Sequence, residues 1–331
     1  MGITVLGAAE ALPSRVVPSA EIEDRIRQAS GFRLPQGVVE RVTGIRTRRM
    51  VAEDEYASTL AARAGEAALE AAGVAPSEVD LLVFASASRD FIEPATAHVV
   101  THELGIRAHA FDVTNACNSF INGIEIATTL LASGAYSRAL VVTGETPTRS
   151  IRWQLESLRQ FMTHFAGFTF GDAGGAVVLG QGPGPGLGRP MAETRSEHWD
   201  VGGIFGGGSR HPFDFDKLYF TGAGTELRLA FESMGPDVID ALLHRDGRHV
   251  QDFRHIFVHQ VTVPYAERFC DVVGARREQL VWTVPELGNI ASASLPIQLS
   301  RVWENITPGE RSLLVGLGGG ISIQVMPWEC G

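Results

Sequence analysis

Short β-branched runs alternate along this chain with Ala-rich stretches of helical period. Ala57 to Ala72 reads as a helix, and Asp80 to Ala85 and Ala139 to Thr143 read as strands. Such alternation predicts an α/β fold with largely buried sheets. Gly and Pro then cluster from Gly180 to Gly188 (GQGPGPGLG) and from Gly202 to Gly208, in a polar stretch reaching about Gly224 with little periodicity. This stretch reads as a linker or insertion between two halves, 1–180 and 181–331.

The two halves resemble each other. Cys117 precedes Leu140 of ALVVTG by 23 residues, and Asn289 precedes Ser312 of SLLVG by 23, an offset of 172 between the pairs. Upstream, the strand ending LLVFA matches the one ending HIFVH at an offset of about 174. Each half reads as a strand, a strand-to-helix turn carrying a polar residue, a helix, and a Val/Leu strand closed by Gly144 or Gly316. A duplicated α/β unit follows, whose matching turns converge where pockets form.

Composition narrows the partners. Of 331 residues 44% are hydrophobic and 20% charged, which excludes a disordered chain. The formal charge is −10 and no Lys/Arg run is long enough to track a phosphate backbone, so neither nucleic acid nor membrane is an expected partner. Three cysteines, Cys117, Cys270 and Cys330, supply neither a disulfide framework nor a C-x-x-C zinc site and point to a reducing cytoplasm. No leader, myristoylation signal or membrane span is read in the sequence, so the expectation is an unprocessed soluble protein.

The segment AFDVTNACNSFINGIEIATTLLASG carries the strongest chemical signal, a strand from Ala110 to Val113 entering a helix that begins near Cys117 and ends at Gly134. At a helix amino terminus the unpaired N–H groups and the dipole favour the thiolate, lowering a free-thiol pKa of about 8.5. A small buried core cysteine is the alternative. His259 closes the strand HIFVHQ, and Asn289 sits in PELGNIASASLP at the second half's turn. A nucleophile with a distant His and Asn suits thioester chemistry, although singly they read as a core histidine and a helix cap. The run GLGGG, Gly316 to Gly320, can bring backbone close to a reacting group or simply make a tight bend.

Together DVTNACNSF, FGDAGGAVVLG, VHQV, GNIASASLP and GLGGG, in this order and with 30 residues from His259 to Asn289, resemble the thiolase superfamily. Within it, the chain is similar over nearly its whole length to the β-ketoacyl-acyl-carrier-protein synthase III-like condensing enzymes. The resemblance implies a thiolase-like five-layered αβαβα fold from two similar halves, a homodimer, and acyl-coenzyme A or acyl-carrier protein as substrates, with no metal or redox cofactor. It implies that Cys117 carries the acyl group, that His259 and Asn289 polarise the second thioester, and that the N–H groups of Cys117 and Gly319 form an oxyanion hole.

Departures from the family pattern refine this expectation. Degradative thiolases place a second cysteine where this chain has Gly316, and initiating synthases clamp adenine with a Trp and an Arg where Val38 and Val42 stand. In DFIEPATA the family's usual hydrophobic residue before Pro, on a loop reaching the partner's acyl pocket, is Glu93. This resembles enzymes of olefin, β-lactone and pyrone pathways that join two acyl chains head to head. Joining two simple thioesters requires removal of an α-proton, work for a buried carboxylate. Alternatives are decarboxylative condensation with a malonyl donor, acyl transfer to an alcohol or amine, a non-catalytic subunit of a heterodimer, and, for Glu93, a solvent-facing loop.

Phe91 and Phe161 are further candidates for contact with the acyl chain. The segment Ile151 to Phe165 reads as one helix with Ile151, Leu155, Leu158, Phe161 and Phe165 on a single face, either core or a cap over an acyl tunnel. His98 and His102, four apart on a helix, lack a carboxylate or thiolate partner for a metal. GPGPGLG lacks the donors of a phosphate loop, and Asp214 and Asp216 read as solvated charges.

Overall fold

A computed structural model describes residues 2–31, 34–222, 226, 229, 230, 232, 234 and 236–331. In chain order it forms β1 (Gly2–Ala11), β2 (Arg15–Pro18), α1 (Ser19–Ser30), α2 (Val38–Thr43), β3 (Thr47–Met50), α3 (Ala57–Ala72), β4 (Leu81–Ala85), α4 (Thr96–Glu103) and β5 (His109–Val113). There follow α5 (Ser119–Ala132), β6 (Arg138–Glu145), α6 (Leu158–His164), β7 (Ala173–Gly182), β8 (Gly186–Leu187), β9 (Met191–Thr194), β10 (Gly202–Gly203) and β11 (Thr221–Gly222). The rest is α7 (Asp237–Asp246), β12 (His255–Val258), α8 (Val263–Val273), α9 (Val284–Leu287), α10 (Ser294–Val302), β13 (Arg311–Gly318) and β14 (Ser322–Glu329).

One sheet runs β1-β7-β6-β4-β5, with β4 parallel to β5 and β6 and the rest antiparallel. The other runs β12-β13-β14, with β8 and β9 on the far edge of β14 and only β12 and β13 parallel. The duplication is visible in register: Leu81 pairs with Ala139 in the first sheet, and His255 with Ser312 in the second. Among the described residues, only Leu280, bridged to Ile256, stands where β5 flanks β4.

Five layers result. Helices α3 and α4 pack on the outer face of the first sheet, and α7 and α8 on the outer face of the second. Between the sheets, Phe120, Ile121 and Ile124 of α5 and Leu295 and Leu299 of α10 join Val83 and Val141 to Phe257, Leu314 and Trp328 in one core. All of β4 is buried, as a parallel strand covered on both faces should be. Close packing of α3 depends on missing side chains: a Cβ at Gly144 would lie 1.8 Å from Ala57 O, and one at Gly174 2.3 Å from Leu60 O.

The Gly/Pro stretch is not simply a linker. Strand β7 continues to Gly182, and β8 and β9 belong to the second sheet. Backbones cross closely here, since a Cβ on Gly186 would fall 2.2 Å from Ile3 O. Only from about Arg195 to Gly222 does the chain leave the sheets, closed by the β10–β11 pair, with Asp214 and Asp216 exposed. Gly224, the expected end of the stretch, lies outside the described residues. Among the described residues no helix is long and apolar enough to cross a membrane.

Candidate active site

The turn between β5 and α5 carries Cys117. Ala116, just before it, has φ 48°, which places an alanine in the left-handed region and turns the chain sharply into the helix. The Ser119 hydroxyl holds this bend, accepting from Asn115 N–H at 2.8 Å and donating to Ala116 O at 2.6 Å. Asn118 Nδ2 donates to Ser322 O (3.0 Å) and Oγ (2.8 Å), pinning the turn to β14.

Cys117 retains accessible surface yet lies deep in the molecule. Burial, and then the negative charge of Glu145, push its thiol up to about 12. The expected depression is therefore corrected. Helix α5 starts two residues later, at Ser119, and desolvation of the thiolate outweighs the help of the N–H groups.

The matching turn carries Asn289. Gly288 before it also has positive φ, 68°, and a Cβ there would meet Thr169 O at 2.5 Å. Asn289 N–H donates to Thr169 O at 2.8 Å, and its carbonyl accepts from Gly171 N–H at 3.1 Å, so the FGDAGG segment holds the residue. Asn289 Oδ1 accepts from Ala291 N–H at 3.1 Å, which leaves the amide Nδ2 free to donate. Ala291, at φ 46°, thus caps Asn289 with its N–H and receives the Ser294 hydroxyl on its carbonyl at 3.0 Å.

His259 follows β12, and its N–H is bound to Val315 O at 3.1 Å. Its Nδ1 lies 3.1 Å from Ser294 Oγ, whose hydroxyl donates to the Ala291 carbonyl at 3.0 Å and so accepts from the ring, which also hydrogen-bonds the Ala291 backbone. That assigns the proton to Nδ1 and leaves Nε2 as a lone pair. Burial pulls the imidazole down to about 4, partly opposed by the Ala291 bond. At neutral pH it is uncharged.

The glycine run lies against the Cys117 turn. A Cβ on Gly316 would sit 2.3 Å from Asn118 Oδ1, and one on Gly318 3.1 Å from Asn115 O. Gly319, in the β13–β14 hairpin, would have its Cβ 4.0 Å from that of Ala116. The mirror-image contact is made by β6, whose Thr143 Oγ1 lies 2.7 Å from Ser292 Oγ and whose Glu145 accepts from the same hydroxyl. Each sheet's central strand therefore touches the other half's turn.

Comparison with known proteins places this arrangement. The model of 3-oxoacyl-[acyl-carrier-protein] synthase III matches residues 111–195, and that of its C-terminal domain matches 243–330. The chain is 34% identical to β-ketoacyl-[acyl-carrier-protein] synthase III 3 of Streptomyces coelicolor, over 96% of this chain and 93% of that one. The chain belongs to the synthase III family. It is 32% identical to the acetoacetyl CoA synthase of Streptomyces sp. (strain CL190), over 98% of each. Crystal structures of Xanthomonas campestris OleA superpose with a TM-score of 0.89 at 26% identity, covering 99% of both chains in the variant with lauric acid and lauroyl-CoA. The fold is thiolase-like, as expected, and the protein is a ketosynthase-type acyltransferase.

Other candidates of this synthase III chain are placed less centrally. Glu93 and Phe91 lie on an exposed loop between β4 and α4, Phe91 at 54%. Phe161 is 4% exposed, stacked on Phe168 and edge-on to Phe165 in a satellite core with Ile22 and Ile26. The helix expected from Ile151 to Phe165 is only α6, from Leu158, and Leu158 is exposed. Ser30 takes the backbone upstream instead, donating to Trp153 O at 3.1 Å and accepting from Leu155 N–H at 2.9 Å. His98 and His102 are exposed on α4, and among the described residues no group of three His, Cys, Asp or Glu could hold a metal ion. Sequence reasoning missed Glu145, an acid closing a strand that is buried from Ala139 onward, and an acid directly after the run ALVVTG was itself the available signal.

Proposed function

We propose that the chain loads an acyl group from coenzyme A or a carrier protein onto Cys117 and condenses it with a second acyl thioester without decarboxylation. The observation carrying this reading is a deep cysteine and a free amide on the matching turns of the two halves, with an uncharged imidazole at the end of β12. His259 Nε2 takes the thiol proton as the sulfur attacks the thioester carbonyl, and passes it to the departing carrier thiol. Neutral His259, its proton moved to Nε2 as Nδ1 accepts from the Ser294 hydroxyl, and Asn289 Nδ2 then hydrogen-bond the second thioester's carbonyl oxygen.

Glu93 of a partner subunit removes the α-proton. The enolate carbon attacks the acyl group, and the oxyanion is held by the N–H groups of Cys117 and Gly319. Collapse expels the Cys117 sulfur as a thiolate, and the proton that Glu93 removed restores its thiol. Exposure of Glu93 beside Phe91 and Ile92 on one loop suits a group that completes a neighbour's site. OleA supports the assignment. Its structures include variants with a cysteine, a histidine and a glutamate replaced, the first two as far apart in sequence as Cys117 and His259.

Purified protein mixed with acyl-coenzyme A thioesters and no malonyl donor tests this by intact mass and product analysis. Wild type should give an acyl adduct and a β-keto product, Cys117→Ala neither, and Glu93→Gln the adduct alone. No adduct with any thioester would contradict the reading.

A further inference from the structure

Glu145 closes β6 and is fully buried. Its Oε1 accepts from Ala87 N–H at 2.8 Å and from the Ser292 hydroxyl, and its Oε2 accepts from Ser88 N–H at 3.0 Å and Ser88 Oγ at 2.8 Å. All four donors are neutral. An ionised carboxylate in a dry interior is expensive unless such bonds hold it, so this position is demanding. An amide would fit it poorly, because its NH2 would face the Ser88 N–H, a donor against a donor.

The donors come from segments that bear the reaction. Ala87 and Ser88 root the loop that runs on to Phe91 and Glu93, and Ser292 lies in the turn between Asn289 and Ser294, the partner of His259. We infer that Glu145 is a positioning residue for condensation, its carboxylate fixing the Asn289 turn and the root of the Glu93 loop to one strand of the Cys117 half. The inference rests on the reaction proposed above. A misplacement of about 1 Å at such a turn costs up to about a hundredfold in rate, which sets the scale of the effect. The same negative charge opposes ionisation of Cys117, which gives the residue a signature that a merely structural tie lacks.

The test compares Glu145→Gln, which removes the charge and mismatches a donor, with Ser292→Ala, which keeps the charge and cuts one tie. Three readouts are taken on the whole chain: acyl adduct by intact mass, condensed product, and the pH profile of Cys117 alkylation by iodoacetamide. Glu145→Gln should still form the adduct, lose condensation by about tenfold or more, and alkylate at lower pH than wild type. Ser292→Ala should lose condensation while alkylating as wild type does. Full condensation in both variants, or an unmoved alkylation profile in a folded Glu145→Gln, overturns the inference. Should Glu145→Gln fail to fold, full condensation in Ser292→Ala overturns it alone. If wild type makes no condensed product, the proposed reaction fails, and the alkylation profiles still decide whether Glu145 acts on Cys117.

Discussion

At the level of single residues, candidate side chains could be named from the sequence, but their ionisation could not. Cys117, His259 and Asn289 stand out by spacing and turn context, whereas depth below the surface and the approach of Glu145 depend on segments distant in sequence. A helix terminus argues for a low thiol pKa only when water or cations also stabilise the thiolate; here burial wins. Alkylation of Cys117 in the free enzyme should therefore keep rising through pH 8–10 with no plateau, and a plateau near neutrality would show an activated thiolate. His259 makes an opposite kind of prediction. Its folded pKa, about 4, lies below the ordinary 6.5, so below pH 6.5 the unfolded chain takes up a proton that the folded one refuses. Stability is lost as pH falls from 6.5 towards 4. Asp172, buried and raised to about 6, offsets part of this by binding a proton in the folded state. Thermal unfolding of wild type against His259→Asn should show the variant losing less stability between pH 7 and 5.

Secondary structure followed local pattern wherever the pattern had no competitor. Helix α3 has the expected ends, closed by Gly73 at φ 62°, and β4 and β6 fall within a residue or two of the expected strands. The stretch from Ile151 failed because Ser30 of α1 occupies the backbone groups that a helix would have used, a contact across 125 residues. Glycines at the strand ends carry the site's geometry. Gly316→Ala would push a methyl into Asn118 Oδ1 and, at 2.7 Å, into Ile121 Cγ2, so a loss of roughly 1–3 kcal/mol is expected with slower acylation of Cys117. Gly319→Ala meets nothing closer than 3.8 Å and should shift stability by less than ~0.5 kcal/mol. Equal destabilisation of the two in denaturant titrations would contradict this packing account.

For the whole molecule, duplication was legible from matched offsets because both sheets kept strand length and register, β6 and β13 at eight residues each. The crossover was misjudged because Gly and Pro signal loops, while here the glycines permit backbones to cross in β8. Among the described residues β5 ends the first sheet with one edge unpaired and is only half-buried, which suits continuation into a second copy. Light scattering should give twice the chain mass. If Glu93 acts across that interface, inactive Cys117→Ala and Glu93→Ala chains should recover about a quarter of wild-type activity on subunit exchange, since half the dimers are mixed and each has one intact site. No recovery in verified mixed dimers would place Glu93 outside the partner's site. The central claim is the union of two acyl thioesters on Cys117, and its most direct test is a single turnover of pre-acylated enzyme offered either an acyl-coenzyme A or a malonyl thioester, with product mass and released CO2 recorded together. The account predicts a β-keto product retaining every carbon of both acyl groups, with no CO2; reaction with the malonyl thioester alone, releasing one CO2 per product, would contradict it.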